Sequence, residues 1–448
     1  MHEKGLLKNK RILLIDPDEK KENDKTFCFW AEESDDIYKE YASIVSNSWR
    51  QIQINNFSPT EIAPLCYYHI NSLDLYQLAR EIIKMYDVNH IKESVLTIYK
   101  SGDKLYTESE GAIYESTRVF DGRPPNYNLA LKSEYNISQS FIGYKIKLEE
   151  GEFNDEVYHM MDFRVDQSIA TQFIYILPYS KSEALVELTR FGKQLLDEVT
   201  AKEVLQKFIS KNYGDFHVVD QEKGVIPMSS TLPKIKSVKN WINIGTRAGN
   251  VKPSTGYAFK NMYAHSKNIC NSIDLNPKKS SANRRFLFYD QLLLIILTIW
   301  PNKGKPIFER LFKAKSANFV LQFLDEKTSF SQELSMFSKL QIGVFLKAFL
   351  YWLYWKYKGL IFPILMSLYV LFSFVFETSA STPLNTFQFG LLILGLLVIG
   401  IPHGALDHLT GFISKKKKIS LKFIVIYLLL MVPIFFLWIL FPKMGLFF

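Results

Sequence analysis

Glu187 is the lone acid in the run Leu185-Val186-Glu187-Leu188-Thr189. On a strand, such a glutamate either faces solvent from an open side of the sheet or is carried inward. Inward, desolvation raises its pKa and keeps it protonated near neutrality, the state a general acid requires. Met161-Asp162-Phe163-Arg164 sets an acid and a base two residues apart, on one face of a strand. That pair reads as a group that positions reacting atoms or as a structural ion pair. Asp16 closes the apolar run from Arg11, where a dinucleotide fold uses an acid to hold the adenosine ribose; a plain turn residue would look the same. The Gly-x-Gly-x-x-Gly fingerprint expected upstream is not found in the ten residues before Arg11, so the nucleotide fold reads as N-terminally incomplete.

A second constellation runs from Gly245 to Tyr257. Gly245 follows the short apolar strand Trp241 to Gly245, Gly249 lies in the loop, and Lys252-Pro253-Ser254-Thr255-Gly256 is expected to open a helix from about Thr255. Free backbone N–H groups and the positive end of a helix dipole would then face an anionic ligand such as a dinucleotide pyrophosphate. An ordinary Ser/Thr-capped helix is the plain alternative.

The elements that must position these residues are short and mixed. Arg11 to Asp16 resembles a buried parallel strand. Leu73 to Met85, Arg284 to Trp300 and Ala317 to Leu324 have helical spacing. Phe141 to Leu148, Gln172 to Leu177 and Ala184 to Thr189 run or alternate like strands of a second sheet. The 54 basic against 45 acidic residues carry no Arg-rich arm or zinc-ligand spacing, so nucleic acid is excluded as a partner and an anionic membrane surface fits the excess better. Cys28, Cys66 and Cys270 are widely separated and read as free thiols of a reducing compartment. No apolar run opens the chain, so no signal peptide is expected.

From about Lys356 the composition changes. Leu360 to Phe376, Phe387 to Leu406 and Leu421 to Leu440 are almost free of charge, each near the ~20 residues a membrane helix needs. Lys356 and Lys358 precede the first, Glu377 lies in the loop between the first and second, and Lys415 to Lys418 separate the second from the third. The positive-inside rule places residues 1–355 and the lysine loop on the cytoplasmic side of a bacterial cytoplasmic membrane. At the end of the second span, Pro402-His403-Gly404-Ala405-Leu406-Asp407-His408 puts ionisable residues at membrane depth, which marks a functional candidate.

Taken together, Asn23 to Trp30, Phe120 to Pro124, Met161 to Arg164, Phe173 to Pro178, Leu185 to Thr189, Val225 to Met228 and Gly245 to Tyr257 resemble, in order and spacing, the bacterial lycopene β-cyclase family. The resemblance runs from about Arg11 to Trp355. It implies an α/β flavoprotein of Rossmann type with a substrate-binding β-sheet, followed here by transmembrane α-helices. It further implies bound FAD used in its reduced state, NAD(P)H as the electron source, no net redox change, and lycopene and related carotenoids as substrates. The family's catalytic glutamate falls on Glu187, and Asp162 and Arg164 carry over as active-site or positioning residues. Asp16 and the stretch Gly245, Gly249, Lys252, Pro253, Ser254, Thr255 and Gly256 carry over as cofactor contacts, with Ala248 where the family has a glycine.

Residues from 356 onward are similar to the beginning of the membrane β-carotene 15,15′-dioxygenase family, in which His403 matches the first iron-ligand histidine. Iron needs several protein ligands, and no histidine follows His408. This part is therefore read as an incomplete cleavage domain, unable to cleave carotene alone. Expected partners are membrane lipid and other carotenoid enzymes. A flavin-dependent monooxygenase acting on a lipid and a non-catalytic fragment are the alternatives.

Overall fold

The computed structural model describes residues 1–124, 135–230, 238–272 and 283–357. Met1–Trp355 is one compact unit and Lys356–Phe448 another; the three apolar spans and His403 lie outside the described residues. Among the described residues no helix is long and apolar enough to cross a membrane.

The first unit is built around a seven-stranded mixed sheet. Its spatial order is Phe216–Met228, Ile137–Leu148, Glu183–Gly192, Thr171–Pro178, Val157–Asp162, Gln51–Ile54 and Thr60–Glu61. Each pairing is antiparallel except that of Val157–Asp162 with Gln51–Ile54. Alternation along the strands sorts side chains into two cores. Phe173, Leu177, Leu185 and Phe191 face one, together with Leu294, Leu297 and Phe308 from the helices Arg284–Ile299 and Gly304–Ala314. Ile174, Ile176, Val186 and Leu188 face the other, closed by Leu205, Phe208 and Ile209 of the helix Glu198–Tyr213. Asp197 caps that helix by accepting from Thr200 N at 2.9 Å, which satisfies one of its orphan donors.

Strand and helix expectations agree with the structure: Ser72–Ile83, Arg284–Ile299 and Ala317–Leu324 are helical, and the three second-sheet strands are present. Two others need correction. Ile12–Ile15 does pair in parallel, with Val88–Ile91, but Leu13 and Leu14 stay 37% and 38% exposed. A two-stranded ladder covers too little of a strand to bury both its faces. The helix expected from Thr255 begins only at Phe259 and runs to Asn271. Gly256, at φ +74°, ends a turn there instead of entering a helix.

Close approach fixes the register beside the outer strand. Gly224 faces Phe141 across the ladder, and a Cβ at Gly224 would come within 2.4 Å of Phe141 Cζ. Gly224→Ala is expected to destabilise the fold by about 1–3 kcal/mol, the usual range for overpacking. Thermal or denaturant unfolding measures this, and a midpoint equal to wild type would refute the packing described.

Candidate active site

Glu187 sits at the centre of the long sheet, 7% exposed. It pairs with Tyr175 on one side and Gly143 on the other, so it shares a face with Leu185 and Phe191 and points away from the helix Glu198–Tyr213. Thr189 Oγ1, two residues along on the same face, donates a hydrogen bond to Glu187 Oε1. Glu222, on the strand beyond, also pairs with Gly143. The central strand has no side chain at that point, and the two carboxyls meet across it. Thr26 Oγ1 donates to Glu222 Oε2 at 2.7 Å.

Burial, followed by the charge of Glu222, raises the Glu187 carboxyl well above the usual carboxylate range. Burial raises Glu222 too, against a lowering hydrogen bond from Thr26. The thiol and phenols around it are neutral: burial pushes the Cys28 thiol up to about 12 and lifts Tyr67, Tyr175 and Tyr179 well above the normal phenol range. Glu187 thus fulfils the inward alternative and is held as the acid form by an apolar environment.

Aromatic rings dominate this face. Tyr67 stacks on Tyr158 with centroids 4.2 Å apart and shares a 2.8 Å hydroxyl contact with Tyr175. Trp30 meets Tyr257 edge-on at 4.8 Å. Cys28, Trp30 and Tyr257, with Phe29, Phe259 and Leu324, line a small cleft of about 30 Å³. Cys28 and Tyr257 are both within electrostatic reach of Glu187.

The loop from Gly245 reaches the same face. A Cβ on Gly256 would lie 2.4 Å from Gln139 Oε1 and 3.4 Å from Ile226 Cγ2, residues that pair with each other four places along from the Gly143–Glu222 rung. The loop's groups are largely spent on the protein itself. Lys252 Nζ is paired with Glu326 at 2.9 Å and Asp290 at 3.4 Å, and Ser254 Oγ donates to Asp290 Oδ1 at 2.6 Å. Gly256 N and Thr255 N both donate to the Lys252 carbonyl, at 2.9 and 3.3 Å. The expectation of free N–H groups at a helix start on Pro253-Ser254-Thr255-Gly256 is therefore corrected: the segment is a closed turn locked by a buried ion pair.

Gly245 is different. It opens a 3-10 turn, Gly245–Ala248, that Gly249 caps in the left-handed conformation, and the space where its Cβ would stand is empty to 4 Å. Arg247 Nε binds the buried Asp121 at 2.9 Å, and Asp121 also accepts two bonds from the Arg123 guanidinium, both at 2.9 Å. Burial raises the Asp121 carboxyl, but the bonds and charge of Arg123, with Arg247, outweigh it and hold it low. This joins Phe120 to Pro124 to the glycine loop, on the neighbouring parallel strands Val119–Asp121 and Trp241–Asn243. Asp16 stands at the end of its parallel strand, accepting from Asp18 N at 2.9 Å with Lys20 Nζ 3.7 Å away.

Asp162 and Arg164 are not brought to Glu187. Asp162 pairs with Ile174, which places it on the opposite face of the sheet. There Arg164 Nε lies 2.9 and 3.0 Å from the two Asp162 oxygens, with its guanidinium 5.7 Å from the Phe208 ring. The pair secures the far core, so the expected positioning role is corrected to a structural one. Glu222 and Gly143 went unrecognised in the sequence. Asp220-Gln221-Glu222-Lys223 is a polar stretch that reads as solvated, and only the pairing register exposes the role of Gly143.

Fold and site together define a protein with short parallel strand pairs joined to a sheet that carries a buried carboxyl group raised above its ordinary range. The chain belongs to the lycopene cyclase family, whose profile (lycopene cyclase protein) matches residues 7–348. Residues 394–448 match the profile of β-carotene 15,15′-dioxygenase. A curated lycopene β-cyclase from Pantoea ananas is 24% identical over 255 residues, covering 55% of this chain and 64% of that protein's length. Among solved structures, a geranylgeranyl bacteriochlorophyll reductase-like protein of Thermoplasma acidophilum is 13% identical with a TM-score of 0.46, covering 75% of this chain and 92% of its own. A flavin-dependent halogenase from Xanthomonas campestris is 10% identical at 0.48, covering 77% and 90%. Similarity at that level leaves the assignment resting on the family profile.

The raised carboxyl has a thermodynamic signature. A group neutral in the fold contributes its full stability below its ordinary value of 4.5 and loses it as pH rises toward the folded value. Glu187→Gln is thus expected to match wild type near pH 4 and to melt at higher temperature near pH 8. Equal melting temperatures at pH 8 would count against a protonated Glu187.

Proposed function

We propose that this chain is a lycopene β-cyclase that closes the ends of linear carotenoids into β-rings by acid catalysis, without net redox change. The observation that carries the reading is Glu187: a carboxyl group buried on an aromatic face and raised by its surroundings. Protonating an unactivated alkene demands a strong donor in a dry site, and the resulting carbocation demands electron-rich neighbours. Glu187 supplies the proton. The ring faces of Trp30, Tyr67, Tyr175 and Tyr257 stand where a cation on that side of the sheet would be attracted.

FAD fits part of the frame. The open space over Gly245, the left-handed cap at Gly249 and the accessible carboxylate of Asp16 suit a nucleotide lying across the parallel strands. Asp16 and the Gly245–Gly249 turn are the residues that would hold it, with Arg247 and Asp121 bracing the turn; Lys252 and Ser254 act as scaffold. Bound in reduced form, FAD would contribute negative charge against the carbocation, with NAD(P)H as the external reductant.

Carotenoids partition into lipid, and the helix spanning 342–357 supports work at a membrane surface. Ile342, Leu346, Leu350 and Tyr354, four residues apart, are 62%, 56%, 57% and 53% exposed on its outer side, a stripe suited to the lipid interface. We place residues 1–355 on the cytoplasmic side of a bacterial membrane, with the segment from Lys356 embedded in it.

Expression in cells that accumulate lycopene tests the reading. The expected product has unchanged mass and a cyclic end group, and Glu187→Gln should reduce its formation by at least ~100-fold, the lower range of a general acid's contribution, while bound flavin persists. Product heavier by one oxygen would favour the monooxygenase, and unaltered lycopene in the presence of wild type would overturn the proposal.

A further inference from the structure

We propose that Glu222 is a positioning residue for the acid: Glu187 and Glu222 form a single proton-sharing pair, brought together by the missing side chain of Gly143. This rests on the cyclase reading for its chemistry but on the sheet for its geometry.

Three observations carry it. Gly143 is the residue paired with Glu187 on one flank and with Glu222 on the other, so all three occupy one rung and one face. In a sheet, residues two strands apart normally stand too far apart to touch, because the side chain of the middle strand separates them. Here a Cβ at Gly143 would meet Glu187 Cβ at 3.3 Å, Glu222 Cγ at 3.3 Å and Leu185 Cδ1 at 3.0 Å; the two glutamates fill the space that it would take. Finally, each carboxyl has its own hydroxyl donor from a different element, Thr189 for Glu187 and Thr26 for Glu222. A hydroxyl that donates to a carboxyl oxygen fixes its orientation, leaving the remaining oxygens to meet across Gly143.

Two carboxyls this close cannot both ionise readily, so the pair retains one proton. Glu222, the half-buried member, carries the negative charge, and that charge holds the proton on Glu187. The charged groups facing the pair are Lys145, whose ammonium lies 5.1 Å from the Tyr179 ring, and Asp220. Cys28, Tyr179 and Tyr257 face it as neutral hydroxyl and thiol groups.

The proton balance follows. The proton leaves Glu187 as a new C–H bond forms on the terminal alkene. A neighbouring double bond supplies the electron pair of the ring-closing C–C bond, and the cation moves to that second site. Two adjacent carboxylates now remain, a more basic assembly than one, placed beside the cation. A C–H bond next to the cation breaks, its electrons form the ring double bond, and the pair takes back one proton. The donor is restored without water.

Activity against pH separates this role from a packing role. In the full chain acting on lycopene, Glu222→Gln removes the charge that holds the proton. The alkaline limb of the profile should therefore move to lower pH by about 1–3 units. Gly143→Ala, which wedges the carboxyls apart without altering charge, should shift it in the same direction. A lower rate with an unmoved limb in Glu222→Gln would refute the pair. A second readout is free of the cyclase reading: the fall in melting temperature that begins near the ordinary carboxyl value should end at a lower pH in Glu222→Gln than in wild type. If lycopene is untouched by wild type but that shift is present, the cyclase reading fails and the pair stands. If melting curves of wild type and Glu222→Gln depend on pH identically, the pair itself fails.

Discussion

A strand shows each side chain to one face of its sheet and the next to the other, and in this protein that alternation decides where chemistry can occur. Glu183–Gly192 is the strand on which it matters most. Its even-numbered residues from Ala184 to Leu188 close against the helix Glu198–Tyr213, whereas Leu185, Glu187, Thr189 and Phe191 turn to the aromatic side. The ionisable groups divide in the same way. Asp162 and Arg164 neutralise each other beneath a helix and add cohesion, while Glu187 lies among neutral hydroxyls and rings where a proton is hard to remove. Shifting that strand by one residue would exchange the two environments and abolish both.

The loop between Gly245 and Tyr257 depends on the same face. Its first half is tied to Asp121 through Arg247, and its second half closes as a turn over Gln139 and Ile226. Lys252, buried with Asp290 and near Glu326, pins the turn to the helix Arg284–Ile299. A buried lysine in such surroundings is costly unless paired, so the ion pair is the condition under which the loop can lie so close to the sheet. Nucleotide-type strands and acid-bearing sheet are thereby held in one compact unit.

Much of this was legible in the sequence, and what was not has identifiable physical causes. Apolar alternation marked the strands around Glu187, and helical spacing marked Ser72–Ile83 and Ala317–Leu324. The likeness of seven motifs to the cyclase family agreed with the family profile over residues 7–348. Local pattern was insufficient where tertiary pairing decides. That Asp162 and Arg164 share a face was readable, but not which face. Ser254 and Thr255 looked like a helix cap, yet Ser254 is drawn to Asp290, and the chain turns at Gly256 before the helix starts. Glu222 is hidden in a polar stretch because burial there comes from strands far away in sequence.

One ring in the cleft has an optical consequence. Trp30 is buried, packs edge-on against Tyr257 and carries an indole N–H with no hydrogen-bond partner among the described residues. Indole emission responds to the polarity and to the quenchers around it, so a group entering the cleft lined by Trp30 would change it. The protein therefore carries a fluorophore in the wall of the cleft, one of its seven tryptophans, whose share of the emission a Trp30→Phe difference spectrum isolates.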